Sequence, residues 1–167
     1  MYAIKTRIEE LRINESLHSS DVSAIGELVT NSGVFRSEEI MIAMELAEDR
    51  LSGKDSSYNF LCLRDIDGNL YGYSCYGEIP LTDKRFDLYW IVIDNSLRGS
   101  GYASQLLQET EKQIISMEGK QLYAETSGTE AYAPARSFYL KNGFKEVASF
   151  PDFYRDGDAK IVYCKNL

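Results

Sequence analysis

The sequence predicts an α/β fold, and three observations indicate it. Residues 88–93 form an unbroken apolar run rich in β-branched and aromatic residues, which suits a strand covered on both faces. After a turn that contains two glycines, apolar residues recur at helical spacing, at Ala103, Leu106, Leu107, Ile114 and Met117. Earlier, two alternating runs flank Asp67-Gly68, which is a hairpin signal. At 167 residues the chain is most simply one domain, residues 1–167.

The first part of the chain predicts two helices. Residues 19–21 supply capping side chains for a helix with Val22, Ile25, Leu28 and Val29 on one face, and Gly33 ends it. A second helix starts at Ser37, with two acids in its first turn, and stops at Gly53. Its apolar residues are expected to point inward, namely Ile40, Met41, Met44 and those of 46–51.

The rest of the chain alternates strands and helices. Residues 58–64 and 70–76 are predicted strands, and Gly72 indicates a bulge or a close backbone approach. A polar loop at 81–85 precedes the central strand. Beyond the long helix come a strand at 121–126, a helix with Pro134 in its first turn, and closing strands at 144–150 and 159–164.

The turn after the central strand has the composition of an anion site. The first amides of a helix have no internal partner, and the helix dipole adds partial positive charge there. Gly99 and Gly101 let a ligand approach the backbone closely, and Arg98 adds a cation. A pyrophosphate would fit such a turn. The alternative is that the two glycines only permit a tight turn.

Two motifs resemble those of the GNAT superfamily of N-acetyltransferases. Arg98-x-x-Gly101-x-Ala103 resembles its acyl-CoA signature, (Arg or Gln)-x-x-Gly-x-(Gly or Ala). Residues 135–144 look like its second motif, Ala-x-x-Phe-Tyr-x-x-x-Gly-Phe. The likeness covers roughly residues 58–164. It implies a mixed, mostly antiparallel sheet with helices on both faces, in the order β-α-α-β-β-β-α-β-α-β-β, and an opening strand at 4–11.

The resemblance also implies an activity and a set of cofactor-binding residues. Members of this superfamily transfer an acetyl group from acetyl-CoA to an amine, here expected to be a primary amine of a small molecule or peptide. Backbone groups of the central strand place the thioester, and the turn holds the phosphates. The residues implied are Ile91, Val92, Ile93, Arg98, Gly99, Ser100, Gly101, Tyr102, Ala103 and Ser104.

Tyr139 matches the motif tyrosine that in many members lies near the cofactor sulfur. A phenol with a pKa of about 10 is protonated at neutral pH, so it can donate a proton to the departing thiolate. Without the resemblance, Tyr139 would be interpreted as a core residue beside Phe138. The pattern departs from the family at Tyr132, where many members have an asparagine that contacts the pantetheine arm, and no role is assigned there.

Three carboxylates are candidates for the base that deprotonates the amine. Glu78 follows a strand, Asp87 opens the central strand, and Glu125 ends the neighbouring strand. For each of them, a solvated surface position is the alternative. Tyr73, Tyr76, Tyr89 and Tyr123 lie on the same strands, so we expect a cleft lined by aromatic and polar groups.

Composition restricts the partners. A net charge of −8 argues against nucleic acid, whose binding requires clustered cations. Cys62, Cys75 and Cys164 form no C-x-x-C pair and sit in apolar runs, so we expect buried thiols and a reducing, cytoplasmic environment. We expect no signal peptide, and because no apolar run approaches membrane-spanning length, we expect no membrane partner. His18 is the only histidine, which argues against a zinc site. A homodimer is compatible with the superfamily.

Two other functions compete with acetyl transfer. Gly99-x-Gly101-x-x-Ser104 nearly matches the Rossmann fingerprint, and Glu125 ends the next strand, about where a ribose ligand would lie. Against that fold, a hairpin precedes the turn, where a Rossmann domain would begin with a parallel βαβ unit. A non-catalytic acyl-CoA sensor or interaction module of the same fold is the second alternative.

Overall fold

The structure is a computed structural model and describes residues 11–167. Its strands and helices are β1 (Arg12–Asn14), α1 (Asp21–Ser32), α2 (Ser37–Ser52), β2 (Asn59–Arg64), β3 (Leu70–Glu78), β4 (Arg85–Ile93), α3 (Tyr102–Ser116), β5 (Gln121–Ser127), α4 (Ala133–Lys141), β6 (Lys145–Arg155) and β7 (Asp158–Asn166). This is the predicted order of elements. The strand predicted at 4–11 lies outside the described residues except for Leu11.

The strands form one seven-stranded mixed sheet. Its order is β1-β2-β3-β4-β5-β7-β6. The β4–β5 pair is parallel, whereas β1–β2, β2–β3, β5–β7 and β6–β7 are antiparallel. The predicted mixed, mostly antiparallel sheet is therefore confirmed.

The chain divides into two compact units. Among the described residues, the first unit contains the chain up to Tyr76 together with Trp90–Thr110. Its core is formed by α1, α2, the strands β2 and β3 and the end of β4. The buried side chains include Ile25, Val29, Ala43, Ala47, Phe60, Tyr73 and Val92.

Helix α2 packs through small residues, which corrects one sequence-based expectation. Ala43 and Ala47, one turn apart, are its buried side chains. Met41 and Leu51, which were expected to point inward, are exposed. An alanine stripe lets the helix approach its neighbour closely. Ile40 and Leu46 pack against the core, as expected. The expectation was therefore wrong for Met41 and Leu51, and the burial of Ala43 was not predicted.

A buried ion pair ties α1 to β2 in the first unit. The Arg64 guanidinium donates to the Asp21 carboxylate at 2.5 Å, and both side chains are less than 5% exposed. Arg64 also donates to the carbonyl of Ser16 at 2.7 Å. Burial on its own would raise the pKa of Asp21, but the hydrogen bonds from Arg64 and the His18 amide outweigh it and lower that pKa.

The second unit contains Gly77–Tyr89 and Glu111–Leu167. The register pairs Asp87 with Tyr123 and Leu88 with Ala124. Because side chains alternate along a strand, one face of this part of the sheet is apolar and the other polar. Phe86, Leu88, Leu122 and Ala124 are buried on the apolar face. Asp87, Tyr123 and Glu125 occupy the other face.

The cysteines match their prediction. Cys62, Cys75 and Cys164 are free and buried. Burial raises the pKa of the Cys62 thiol to about 11, so it is protonated and unreactive at neutral pH. Over residues 11–167, none of the helices combines the length and hydrophobicity that crossing a bilayer requires.

Candidate active site

The turn after β4 has the backbone geometry of an anion site. The Asp94 side chain accepts from the Ser96 amide and caps a short 3₁₀ turn. Gly99 and Gly101 then adopt left-handed conformations, with φ of 73° and 87°. In α3, the Gln105 amide donates to the Gly101 carbonyl at 3.1 Å. The amides of the preceding turn therefore have no intrahelical partner and carry the positive end of the helix dipole.

The space beside this turn is open. A Cβ placed on Gly99 or Gly101 would meet no atom within 4 Å. Arg98, Gly99, Ser100 and Gly101 are exposed, while Tyr102, Ala103 and Ser104 are partly buried where α3 begins. A phosphate group could therefore approach the backbone directly. This geometry is compatible with an anion, and the pyrophosphate site stays a prediction.

Two side chains attach this turn to the end of α1. The Asn95 amide donates to the Asn31 carbonyl at 2.6 Å, and Arg98 donates to the Ser32 carbonyl at 3.3 Å. Both carbonyls belong to the last turn of α1, where helix carbonyls have no internal partner. Arg98 thus has a structural contact besides its predicted role in phosphate binding.

The end of β4 runs close to β3. A Cβ on Gly72 would lie 2.9 Å from both the Val92 carbonyl oxygen and the Ile93 side chain. Glycine is therefore required there, which confirms the close approach expected at this position. Val92 is buried, and Ile91 and Ile93 are partly buried.

The second unit has an open cleft on the polar face of its sheet. Its volume is about 670 Å³, within the range of small-molecule sites. The cleft is lined by Ile79, Thr82, Asp83, Arg85, Asp87, Tyr123, Glu125 and Val162. Asp87 and Glu125, two of the three predicted base candidates, are thus brought together. Glu78, the third, does not line it.

Asp87 differs from the other acids in its charge partners. Glu78 pairs with Lys84 at 3.1 Å, and Glu125 pairs with Lys160 at 2.7 Å. Asp83 pairs with Lys120 and Arg85. Within residues 11–167, Asp87 forms no salt bridge. It is therefore the cleft carboxylate that can accept an external cation without breaking an internal pair.

Burial raises the pKa of Asp87 to about 6, and repulsion from Glu125 contributes to the increase. The positive charge of Lys160 acts in the opposite direction. A carboxyl with this pKa is mostly ionised at neutral pH and is still a better proton acceptor than an ordinary aspartate.

Tyr139 lies in an aromatic cluster of the second unit. Its ring centroid is 5.6 Å from Tyr163, 5.3 Å from Phe144 and 5.6 Å from Phe138. Burial raises the pKa of its phenol, so the hydroxyl stays protonated throughout the neutral range. These contacts are those of a core residue, which is how Tyr139 would be interpreted without the family resemblance. A phenol that stays protonated also meets the requirement for a proton donor.

The other tyrosines of these strands are distributed differently. Tyr123 lines the cleft, whereas Tyr73 is fully buried in the first unit.

Lys160, the partner of Glu125, was not identified as a site residue from the sequence. The available signal was a lysine two residues before Val162 in an otherwise apolar strand, which places both side chains on one face.

The family assignment follows from the sequence comparison. Residues 56–146 match the family model described as "Acetyltransferase (GNAT) domain". This chain belongs to the GNAT family of acetyltransferases and is an acyltransferase. No curated protein matches this chain.

Solved structures agree with this assignment. A protein assigned to the GNAT family, from Desulfovibrio desulfuricans, is 35% identical, with a TM-score of 0.88 over 93% of this chain and 98% of its own. An aminoglycoside 6'-N-acetyltransferase complexed with coenzyme A is 17% identical, with a TM-score of 0.72, and covers 93% of this chain and 96% of its own. The ribosomal-protein-S18-alanine N-acetyltransferase of Escherichia coli has the same identity and score, and covers 93% of both chains. At this identity the last two show a shared fold.

Proposed function

We propose that this protein transfers an acetyl group from acetyl-CoA directly to a primary amine, with Asp87 as the general base. The main support is the charge distribution of the cleft. Every other carboxylate that lines it has a cation of the protein as partner, and Asp87 has none among the described residues. An ammonium group entering the cleft would pair with Asp87.

The cofactor would be held by backbone groups. We assign the pyrophosphate to the amides of Gly99 and of residues 101–104, because the turn is exposed and both glycines leave open space. The Ser100 amide already donates to the Leu97 carbonyl. Arg98 is the proposed cation beside the pyrophosphate. Coenzyme A would supply the acetyl group as a thioester. Backbone groups of Ile91, Val92 and Ile93 are the proposed contacts of its pantetheine arm, which explains why the side chains there can be apolar.

Proton removal is the task assigned to Asp87. A lysine-like amine has a pKa of about 10.4, so only about one molecule in 10³ is neutral at pH 7. A base near the amine raises the reactive fraction at the moment of attack. Asp87 is suited to this role because its pKa of about 6 leaves it ionised at neutral pH. Tyr139 is the proposed proton donor to the departing thiolate.

The acceptor class is a small-molecule or peptide amine. The two distant structures named above act on an aminoglycoside and on a ribosomal protein, so their shared fold serves both kinds of acceptor. The test is to incubate the protein with acetyl-CoA and a panel of amines and to measure free thiol. We expect thiol release that depends on at least one amine. Binding of acetyl-CoA without turnover on any amine of either class would favour the sensor alternative.

Replacing Gly101 by valine tests the cofactor turn. The side chain would occupy the open space where the phosphates are proposed to bind, so we expect acetyl-CoA affinity to fall at least tenfold, or about 1.4 kcal/mol. Calorimetry measures it. Gly68→Val is the matched control, since Gly68 has the same φ of 87° and open surroundings. Both variants carry similar backbone strain, so a difference between them reflects the site. If acetyl-CoA affinity were unchanged in Gly101→Val, this turn would not be the phosphate-binding site.

A further inference from the structure

Lys160 occupies a fixed position beside the cleft. Glu125 faces Val162 and Ser127 faces Lys160 in the β5–β7 register. Glu125 and Lys160 are therefore diagonal neighbours on one face of the sheet, within reach of each other. The ammonium lies 2.7 Å from the Glu125 carboxylate, and the lysine side chain is 19% exposed. Such exposure is low for a lysine.

An aromatic ring also contacts the Lys160 ammonium. The Lys160 nitrogen lies 4.8 Å from the centre of the Phe153 ring, a cation–π distance. Phe153 lies in a bulge of β6, since the β6–β7 register jumps between Phe150 and Arg155. The Asp152 carboxylate accepts from the Gly157 amide at 2.7 Å and closes the bulge. The carboxylate and the ring together restrict where the Lys160 charge can move.

The charged and titratable groups around Asp87 come from three strands. Arg85 is on β4 itself, Tyr123 and Glu125 are on β5, and Lys160 is on β7. Arg85 donates to the Gln121 side chain and to the Asp83 carbonyl, and it pairs with the Asp83 carboxylate, which precedes β4. Glu125 and Lys160 are the two charges that affect the proton of Asp87, with opposite signs.

We propose that Lys160 is a positioning residue for acetyl transfer, in that it neutralises Glu125 and so leaves Asp87 as the ionised carboxylate that receives the acceptor. This inference rests on the proposed role of Asp87. Without Lys160, Glu125 becomes a second unpaired anion in the cleft. Asp87 would then hold its proton more tightly, and an entering ammonium could pair with Glu125, away from the proposed base.

The direct test is an NMR titration of the Asp87 carboxyl carbon in the full chain without acetyl-CoA or acceptor. We expect a midpoint about one pH unit higher in Lys160→Met than in the unmodified protein, because an attractive charge is lost and a repulsive one is exposed. Lys160→Arg keeps the charge and should titrate like the unmodified protein. Glu125→Gln should lower the midpoint. An unchanged midpoint in Lys160→Met would overturn the proposal.

A double variant keeps the test decisive if Lys160→Met fails to fold. Lys160→Met/Glu125→Gln contains no unpaired glutamate, and we expect its midpoint to lie above that of Glu125→Gln alone. Equal midpoints would show that Lys160 has only a structural role. The titration is independent of turnover. If Asp87 were not the base, the midpoints would still move, whereas the acidic limb of the pH–rate profile would not follow them.

Discussion

Replacement of Asp87 by asparagine is expected to reduce kcat/KM by about 10²- to 10⁴-fold, the usual contribution of a positioned general base. The amide keeps the size of the side chain but cannot take the proton of the acceptor amine. The measurement is thiol release with an acceptor identified in the amine panel. Acetyl-CoA affinity should be unchanged, because the proposed cofactor contacts lie in the 91–104 segment.

The pH dependence provides a second readout for Asp87. In the unmodified protein the rate should rise with pH through about 6, as Asp87 ionises, and this limb should be lost in the variant. Glu78→Gln is the control, since Glu78 is paired with Lys84 and does not line the cleft. If Asp87→Asn retained full activity, or if Glu78→Gln lost it, the assignment of the base would be wrong.

The same substitution should not reduce stability at neutral pH. Because the pKa of Asp87 is raised from 3.8 to about 6 in the folded protein, the folded state binds more protons than the unfolded state between these values. The Asp87 carboxyl therefore contributes to the free energy of unfolding at low pH, and this contribution falls as the pH rises from 3.8 to about 6. Asparagine carries no charge at any pH. We expect Asp87→Asn to match or exceed the Tm of the unmodified protein at pH 7, so lost activity would not reflect unfolding.

Replacement of Tyr139 by phenylalanine is the second large effect that we expect. It removes the proposed proton donor and keeps the ring that packs against Tyr163 and Phe144. The loss of general-acid assistance should lower kcat by about 10²- to 10⁴-fold, or roughly 3 to 5 kcal/mol in the barrier. The dissociation constant of acetyl-CoA should stay the same. Thiol release and calorimetry measure the two quantities.

Tyr163→Phe is the matched control for this variant. Tyr163 stacks on Tyr139 and is also buried, but no catalytic role is assigned to its hydroxyl. We expect Tyr163→Phe to keep most of its activity. Equal losses in both variants would point to disturbed packing. Full turnover in Tyr139→Phe would mean that water or the acceptor supplies the proton.

Local patterns allowed much of the fold to be predicted. The change from strand to helix spacing around Gly101, the Asp-Gly hairpin and Pro134 all identify features whose geometry is determined within a few residues. The buried face of α2 was predicted only in part. Met41 and Leu51 are exposed, and the burial of Ala43 was missed because alanine carries little hydrophobic signal of its own. That face depends on how closely the helix approaches its neighbour, which residue-by-residue hydrophobicity does not encode.

The candidate site, like the fold, could be predicted from the sequence only in part. The cofactor turn is contiguous in sequence, so its motif was visible. The three base candidates could be named from the strand ends but not ranked, since their charge partners come from elsewhere in the chain. The pairing of Glu125 with Lys160 depends on the β5–β7 register, which brings together residues 35 positions apart. Register is determined by the assembled sheet, and so the ranking of Asp87 required the structure.

The buried pair of Asp21 and Arg64 has a consequence for how this sequence can change over evolution. A substitution at either position alone would leave one uncompensated charge in a dry environment, typically at a cost of about 3 to 5 kcal/mol. That is a large part of the stability of an ordinary domain. Exchanging both residues together for apolar ones of similar volume would avoid that cost. The two positions, one on α1 and one on β2, should therefore vary among relatives as a pair or not at all.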